Sequence, residues 1–600
     1  MKMIVRSAYR YSHRQIRSLF TLLIGLLIST NILSQNTVVP NQMTPREALG
    51  VASYNLNRTA TGMETPPNAT VRTMAEWEEI QSLVIAWSGY PGILCQITDI
   101  AQEECEVIII CADSNLVKAR LTSNGVPLNN VSYIEENVNS IWMRDYGGNS
   151  VYKNEVDSLY LVDWIYNRAR PADDEVPDAV ANFKNIPLYQ TTSAPYSLVH
   201  TGGNFMVDGF GTAFSSNLVL DENSPSGLFN PEDLTEAQID DRMNLFMGIN
   251  EYIKMEILPY DGIHHIDMHM KLLDEETLLV SEYPTGVADG PQIELNLAYV
   301  LNNFNSVYGT PYEVVRIPVP PSTAGNYPDN GGYYRTYSNQ VFVNKTVIVP
   351  TYRTEYDTIA LRILRDAMPG YNVVGIDCDT DPNNIISLSG AIHCITRAVG
   401  VQNPLLISHQ RLRNTDDTVN PYLVTAYMNQ VSGIANATLY WTTDTAAGYN
   451  AVPMSAVGNN NWEAQIPTQA LNTRVFYYVH GQANSGKEQV RPIVAPSGYW
   501  SFTVSAPNGV VNLTATIGME DIFPNPSDNI ACVSVHASNP VIGKVAVLDM
   551  LGREVQLVHE GTIPFGNSTY FIQTSQLPTG VYFVVLIAGN QRFLKKMGVK

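Results

Sequence analysis

The stretch Ser389-Gly390-Ala391-Ile392-His393-Cys394-Ile395-Thr396 sets a cysteine behind a glycine and after a short apolar run. A solitary cysteine is as a rule an inert buried residue. A nucleophilic one needs a base nearby and surroundings that lower its pKa. Two candidate partners lie upstream: His265 within Gly262-Ile263-His264-His265-Ile266-Asp267-Met268, and Asp145 within Trp142-Met143-Arg144-Asp145-Tyr146-Gly147. A third element reads His200-Thr201-Gly202-Gly203-Asn204, with Asp208-Gly209-Phe210-Gly211-Thr212 behind it. All of them fall where strand patterns (82–87, 106–111, 159–164, 277–283, 341–350, 372–378) alternate with helical ones (92–104, 235–254, 291–305, 356–368). That alternation predicts an α/β unit ending near residue 402. Its loops, such as 319–335, are long and rich in Pro, Gly, Asn and Tyr, and long ordered loops on such a scaffold often carry function.

Outward from this unit the texture changes. Residues 1–35 hold Lys2, Arg6, Arg10, Arg14 and Arg17, no acid, and an apolar run too short to span a bilayer, which is the pattern of a signal peptide. Residues 36–70, with Pro40, Pro45, Pro66 and Pro67, are expected to form an extended pro-segment or linker. The α/β unit is assigned 71–402. Residues 403–506 carry about seven short alternating runs and fit an immunoglobulin-like sandwich. A linker over 507–520 precedes another short β unit over 521–600, and no sequence repeat is visible. The 600 residues carry 36 basic and 57 acidic side chains, a net charge of −21, which becomes −26 once the five basic residues of 1–35 are gone. Such a balance speaks against nucleic acid as a partner, because phosphate binding needs a basic face. Six cysteines exclude a disulfide-dense scaffold. Cys105 and Cys111 would stand about 20 Å apart in one strand and cannot bridge each other. With Cys394 kept as a thiol, disulfides are expected to be few or absent.

Taken together and in order, W-x-R-D-x-G, G-G-N with D-G-x-G-T, H-x-D and I-H-C-I-T resemble the agmatine deiminase family of guanidino-modifying enzymes, over roughly 71–402. The resemblance implies a five-bladed pseudo-symmetric α/β propeller with the active site in its central channel. It further implies Cys394 as nucleophile, His265 as acid and base, Asp145 and Asp267 as guanidinium ligands, and Asn339 of Tyr337-Ser338-Asn339 as a polar residue of the site. The chemistry agrees. A guanidinium is planar, cationic up to a pKa of about 12 and offers five N–H donors in a fixed fork. Two carboxylates can each accept paired bonds from it, and their charges are tolerable side by side because the substrate is a cation. His264 rivals His265. Alternation along a strand would turn the two to opposite faces, and the H-x-D spacing would put His265 and Asp267 together, so His265 is expected in the site. Arg144 is expected as a structural ion-pair partner. Trp142 is a candidate to lie against the substrate guanidinium or its methylenes, or else a core residue. No catalytic metal or other cofactor is required, and a structural calcium or sodium ion is left open.

Small-amine members of that family follow the matching strand with A-W-G. Here Asp163-Trp164-Ile165-Tyr166-Asn167 runs into Arg168-Ala169-Arg170-Pro171. A cationic amine gains nothing from two arginines, whereas a carboxylate does. The N-R-x-R-P piece resembles the secreted bacterial peptidylarginine deiminases, which implies that Arg168 and Arg170 bind the α-carboxylate of a C-terminal arginine. His200-Thr201-Gly202-Gly203-Asn204 in place of E-G-G-S-I, and Ser389-Gly390-Ala391 in place of G-G-G, also depart from the small-amine pattern. The last 80 residues resemble the sorting domain of type IX secretion cargo, by Phe523-Pro524-Asn525-Pro526, residues 547–554 (VLDMLGRE), residues 577–583 (LPTGVYF) and the terminal lysines. This implies export across both membranes of a Gram-negative cell to the medium or outer surface, and the secretion machinery as a partner. The expectation is a monomeric, secreted enzyme that turns C-terminal peptidyl-arginine into citrulline and ammonia. Its rivals are an exported deiminase of agmatine or another small guanidine, a secreted cysteine protease, and an inactive adhesin.

Overall fold

The computed structural model describes residues 38–57, 60–284, 286–505, 517–538, 540–563 and 566–600. The signal-peptide reading of 1–35 lies outside them, as does most of the linker at 507–520. No helix among the described residues is long and apolar enough to cross a membrane.

Five sheets follow one another through residues 71–400, and most share one strand order. Met270–Asp274 and Thr277–Glu282 form an antiparallel hairpin, helix Gly290–Asn303 crosses over, and Glu313–Pro318 returns parallel to the second hairpin strand. Val341–Val343, Thr346–Thr351, helix Thr354–Ala367 and Asn372–Asp377 repeat this order. So do Asn149–Lys153, Leu159–Tyr166, helix Val176–Lys184 and Leu188–Thr191. Met206–Val207, Thr212–Ser216, helix Glu236–Met247 and Glu251–Met255 do so again. In the remaining sheet Ile80–Ala86, helix Pro91–Ala101 and Glu106–Cys111 supply the parallel part, and Val131–Glu135 extends it. The antiparallel member there is Thr396–Gly400, from the far end of the unit. The strands are nearly continuous apolar runs, as sheets covered by helices require.

Several expected elements shift for local reasons. The helix expected over 235–254 stops at Met247, where Gly248 adopts φ 70° and caps it, and the remainder is the strand Glu251–Met255. The strand expected over 341–350 is a hairpin that turns at Asn344, φ 50°. The segment expected to be extended before residue 71 contains the helix Pro45–Asn57. Thr44 and Glu47 exchange hydrogen bonds at its start, a capping box with proline at the first helical position.

Residues 404–505 form two antiparallel sheets around one core that includes Val424, Leu439, Val475, Tyr477 and Phe502. Gly566–Gln573, Ile530–Ala537 and Ile517–Met519 extend the sheet of Met270–Asp274, Thr277–Glu282 and Glu313–Pro318, joined to it where Val314 pairs with Gly566, and Val541–Leu548, Glu554–Ile563, Gly580–Ala588 and Gln591–Val599 form a sheet of their own. All six cysteines are unpaired and buried.

Candidate active site

Five segments converge, those of Asp145, Gly202-Gly203, His265 with Asp267, Asn339 and Cys394. The loop carrying Asp145 ends in the short helix Met143–Tyr146. It is tied down from behind by Asp173, which accepts hydrogen bonds from the backbone N–H groups of Asn139 (2.7 Å) and Ser140 (3.0 Å). The Arg144 N–H donates to the Cys394 carbonyl at 3.0 Å and so ties this loop to that of Cys394. The Gly202-Gly203 pair allows a closer approach than any side chain would. A Cβ at 202 would lie 2.0 Å from the Arg144 carbonyl oxygen, and one at 203 would lie 2.4 Å from His265 Nδ1 and 2.9 Å from Asp145 Oδ1.

His265 and Asp267 enter from a turn rather than from the expected strand. His264 has φ 58°, and a single 3-10 turn, Ile266–Met268, follows. Strand alternation does not apply here; a turn separates the two histidines, with His265 fully buried and His264, in a left-handed backbone conformation, partly exposed. The long loop at 319–340 ends in the site. Ser338 Oγ donates to the Asp267 carbonyl at 2.9 Å, and Asn339 Nδ2 donates to Cys394 Sγ at 3.2 Å. The Asn339 side-chain oxygen accepts from His393 N at 3.1 Å. Trp142 is wholly buried, and its ring lies against Gly390, where a Cβ would meet Trp142 Cζ3 at 2.4 Å and Cys394 Cβ at 3.1 Å.

Cys394, His265, Asp145, Asp267 and Asn339 thus come together. Cys394 Sγ is 3.6 Å from Asp267 Oδ2, and His265 Nδ1 is 3.6 Å from Asp145 Oδ1, too long for a strong hydrogen bond. Asp145 Oδ2, Asp267 Oδ1 and both His265 ring nitrogens are buried and find no hydrogen-bond partner among the described residues. Unpaired buried polar atoms are costly and uncommon. Burial, then the charges of Asp267 and Asp145, push the Cys394 thiol well above its ordinary range. Burial also holds the His265 imidazole low, against the pull of Asp145 and Asp267.

The sequence reading missed the support behind Asp267. His393 Nδ1 lies 2.7 Å from Asp267 Oδ2, and its Nε2 lies 2.8 Å from Glu76 Oε1. Glu76 also pairs with Lys271 at 2.5 Å and Arg144 at 3.5 Å, the ion-pair role expected for Arg144. Burial would raise both carboxyls. The charges of His393, Lys271 and Arg144 outweigh it at Glu76, and the hydrogen bond from His393 does so at Asp267, so both are lowered. The histidine of I-H-C was in view, but Glu76 lies in a region whose spacing carried no signal.

Arg168 and Arg170 are buried under residues 40–47. Arg170 Nε meets Glu47 Oε1 at 2.5 Å, its Nη2 donates to the Pro40 carbonyl at 2.6 Å, and its Nη1 donates to Tyr166 Oη at 3.1 Å. Arg168 donates to the carbonyls of Asn41 and Asn167, both at 2.8 Å.

A buried thiol, an imidazole and two carboxylates with oxygens that lack a partner among the described residues are groups that suit a hydrolase of guanidino C–N bonds. The profile of the Porphyromonas-type peptidyl-arginine deiminase family matches residues 72–399, and that of the secretion-system C-terminal sorting domain matches residues 521–600. The chain belongs to that deiminase family, and its sorting domain implies export through the type IX secretion system. An agmatine deiminase of Medicago truncatula is 25% identical over 367 residues, 54% of this chain and 94% of its own. Among solved structures, the agmatine deiminase of Enterococcus faecalis is 18% identical at a TM-score of 0.47, covering 56% of this chain and 100% of its own. That of C. jejuni is 20% identical at a TM-score of 0.44, covering 57% and 98%.

Proposed function

We propose that the protein is a secreted peptidylarginine deiminase that converts C-terminal peptidyl-arginine to peptidyl-citrulline and ammonia. One observation carries the reaction type: two buried carboxylates near the thiol of Cys394, Asp145 and Asp267, each keep an oxygen with no partner among the described residues. A guanidinium is the cation whose paired N–H groups suit such oxygens. Its charge also offsets the two negative charges that hold the thiol up, so binding favours ionisation of Cys394, with the proton passing to His265. The thiolate attacks the guanidinium carbon and forms a C–S bond. The tetrahedral adduct collapses as His265 gives its proton to the leaving nitrogen, and ammonia departs. Water then yields a proton to His265 and its oxygen to the thiouronium carbon. The C–S bond breaks, the hydroxyl proton of the adduct passes to the released ammonia to give ammonium, and the neutral ureido product leaves behind a thiolate that takes back the proton held by His265. Asn339 steadies the sulfur, and His393 with Glu76 orients Asp267. Metal chemistry is not called upon in this scheme.

Arg170 supports the choice of a carboxylate-bearing substrate, since it already holds the carboxylate of Glu47. We read the five α/β sheets as the blades of a propeller around this site, the unit at 403–506 as immunoglobulin-like, residues 1–35 as the export signal, and the enzyme as a monomer. The test offers the purified protein a peptide ending in arginine, the same peptide with arginine internal, and agmatine, and measures ammonia and ureido product. The C-terminal arginine is expected to be preferred by about tenfold or more, the worth of one good charge-assisted contact. Turnover of agmatine alone sinks the peptide reading in favour of a small-guanidine deiminase. Cys394→Ala is expected to lose at least about 10³-fold in kcat, and a variant that keeps its activity removes the mechanism.

A further inference from the structure

Residues 40–57 lie over the catalytic unit as a docked element. The helix Pro45–Asn57 sets Val51 and Tyr54 into a small apolar cluster with Ile165, Val199 and Phe229, and Tyr54 packs edge-on against Phe229 at 5.8 Å. Asn55 Nδ2 donates to the Leu228 carbonyl at 2.9 Å. Ahead of the helix the chain touches three of the loops that build the site. Asn41 N–H donates to the Leu388 carbonyl at 2.9 Å, six residues before Cys394. Asn41 O and Pro40 O accept from Arg168 and Arg170. The Gln42 side chain packs on Gly262, three residues before His265, so closely that a Cβ there would lie 2.2 Å from Gln42 Nε2. Asn41 is itself wholly buried, and its side-chain amide finds no partner among the described residues. Cys394, Asp145 and His265 have no exposed surface at all.

We propose that Arg168, Arg170 and the loops at Leu388 and Gly262 form a binding surface for residues 40–47 of this same chain, which occupy it as an internal stand-in for a peptide ending in a carboxylate and keep the site shut. The proposal rests on the reading of the arginine pair as the carboxylate grip. The backbone of 40–42 takes the place of substrate peptide, with one donor (Asn41 N) and three acceptors (the carbonyls of Pro40, Asn41 and Gln42) in use. Glu47 supplies the anion that Arg170 would otherwise take from substrate. The helix behind it turns a weak contact into a lasting one, because Val51 and Tyr54 are anchored about one and two turns further on. Displacing 40–47 frees both guanidinium groups from the contacts that the segment makes with them.

The test uses the full chain and two variants that act at different ends. Glu47→Lys breaks the grip at the mouth, and Val51→Asp breaks the remote docking of the helix. Cys394 is titrated with 2-chloroacetamidine, a small amidinium electrophile, and labelling is mapped by mass spectrometry beside kcat/KM on a peptide ending in arginine. Both variants are expected to be labelled about tenfold faster than the parent, the size of one charge-assisted bond. A synthetic peptide of residues 38–50 added to Glu47→Lys should slow labelling again. Labelling at the parental rate in both variants overturns the proposal, as does a slower rate in variants that thermal unfolding shows to be folded. Faster labelling without turnover of any arginine peptide removes the substrate reading and leaves the closing segment. Turnover that is equal in parent and variants does the reverse.

Discussion

Two buried clusters of carboxylates in this molecule are built to opposite rules. At the junction between the catalytic unit and the β unit at 404–505, Glu276 accepts from Arg411 at 3.3 Å and Arg413 at 2.8 Å, Glu313 from Arg411 at 2.7 Å, and Glu275 from Arg491 at 3.0 Å. The negative charges there meet cations supplied by the neighbouring unit. In the site, Asp145 and Asp267 each keep an oxygen with no partner among the described residues. The imidazoles repeat the contrast. His409 of the β unit has the Thr425 carbonyl at 2.7 Å and Tyr477 Oη at 3.0 Å, one for each ring nitrogen, whereas neither nitrogen of His265 has a hydrogen-bond partner among the described residues. A satisfied charge cluster holds surfaces together. An unsatisfied one is maintained at a cost that a cationic substrate can offset.

The sharpest way to break this contrast is to neutralise one carboxylate of each kind. Asp145→Asn is expected to lose about 10³-fold in kcat/KM, the scale of one transition-state contact, while the folded protein gains about 1 kcal/mol in urea unfolding as an uncompensated charge is removed. A stability loss with unchanged activity would place Asp145 among the structural carboxylates. Glu276→Gln should do the opposite: parental activity, and a loss of about 1–2 kcal/mol, discounted because Arg411 and Arg413 remain partly exposed. The smallest effect is in pH. Burial lowers His200 to about 3 and His269 and His409 to about 4, from 6.5. Their folded pKa values are depressed, so the stability they contribute is present in full above about pH 6.5 and is lost as pH falls towards 4. Asp267 and Asp274, lowered despite burial by His393 and Arg411 respectively, add a further loss only below the ordinary carboxylate range. Unfolding free energy that stays flat from pH 7 to 4.5 would show that these histidines are not held neutral.

Much of the site was legible because its chemistry demands particular residues at short spacing. Cys394, His265 and Asp267, Asp145 and Asn339 all come from local strings, and the structure brings them together. The strand order was half legible. Helices and strands alternate visibly, but the shared hairpin–helix–strand order leaves no sequence repeat, because each sheet buries its own set of Val, Ile and Leu and is joined by loops of different length. The misreadings sit where one backbone angle decides: Gly248, which splits a helix from a strand, Asn344, which folds one strand into two, and His264, which makes a turn of an expected strand. Glu76 was invisible because its partners, His393, Lys271 and Arg144, are far from it in sequence. The helix at Pro45–Asn57 did announce itself, in Thr44-Pro45-Arg46-Glu47, and the local density of prolines hid it.

The strand that closes the first sheet, Thr396–Gly400, pairs with Ile80–Ala86 from more than 300 residues earlier. Cys394 sits two residues before it. Cys394 therefore reaches its place only when Thr396–Gly400 finds Ile80–Ala86, a contact between distant parts of the chain that is slow to form. A chain made or exported from its N-terminus has Asp145, His265 and Asp267 well before it has a thiol to pair with them. The site is thus completed last, and a chain that stops short of Thr396 lacks the strand that sets Cys394 beside Asp267.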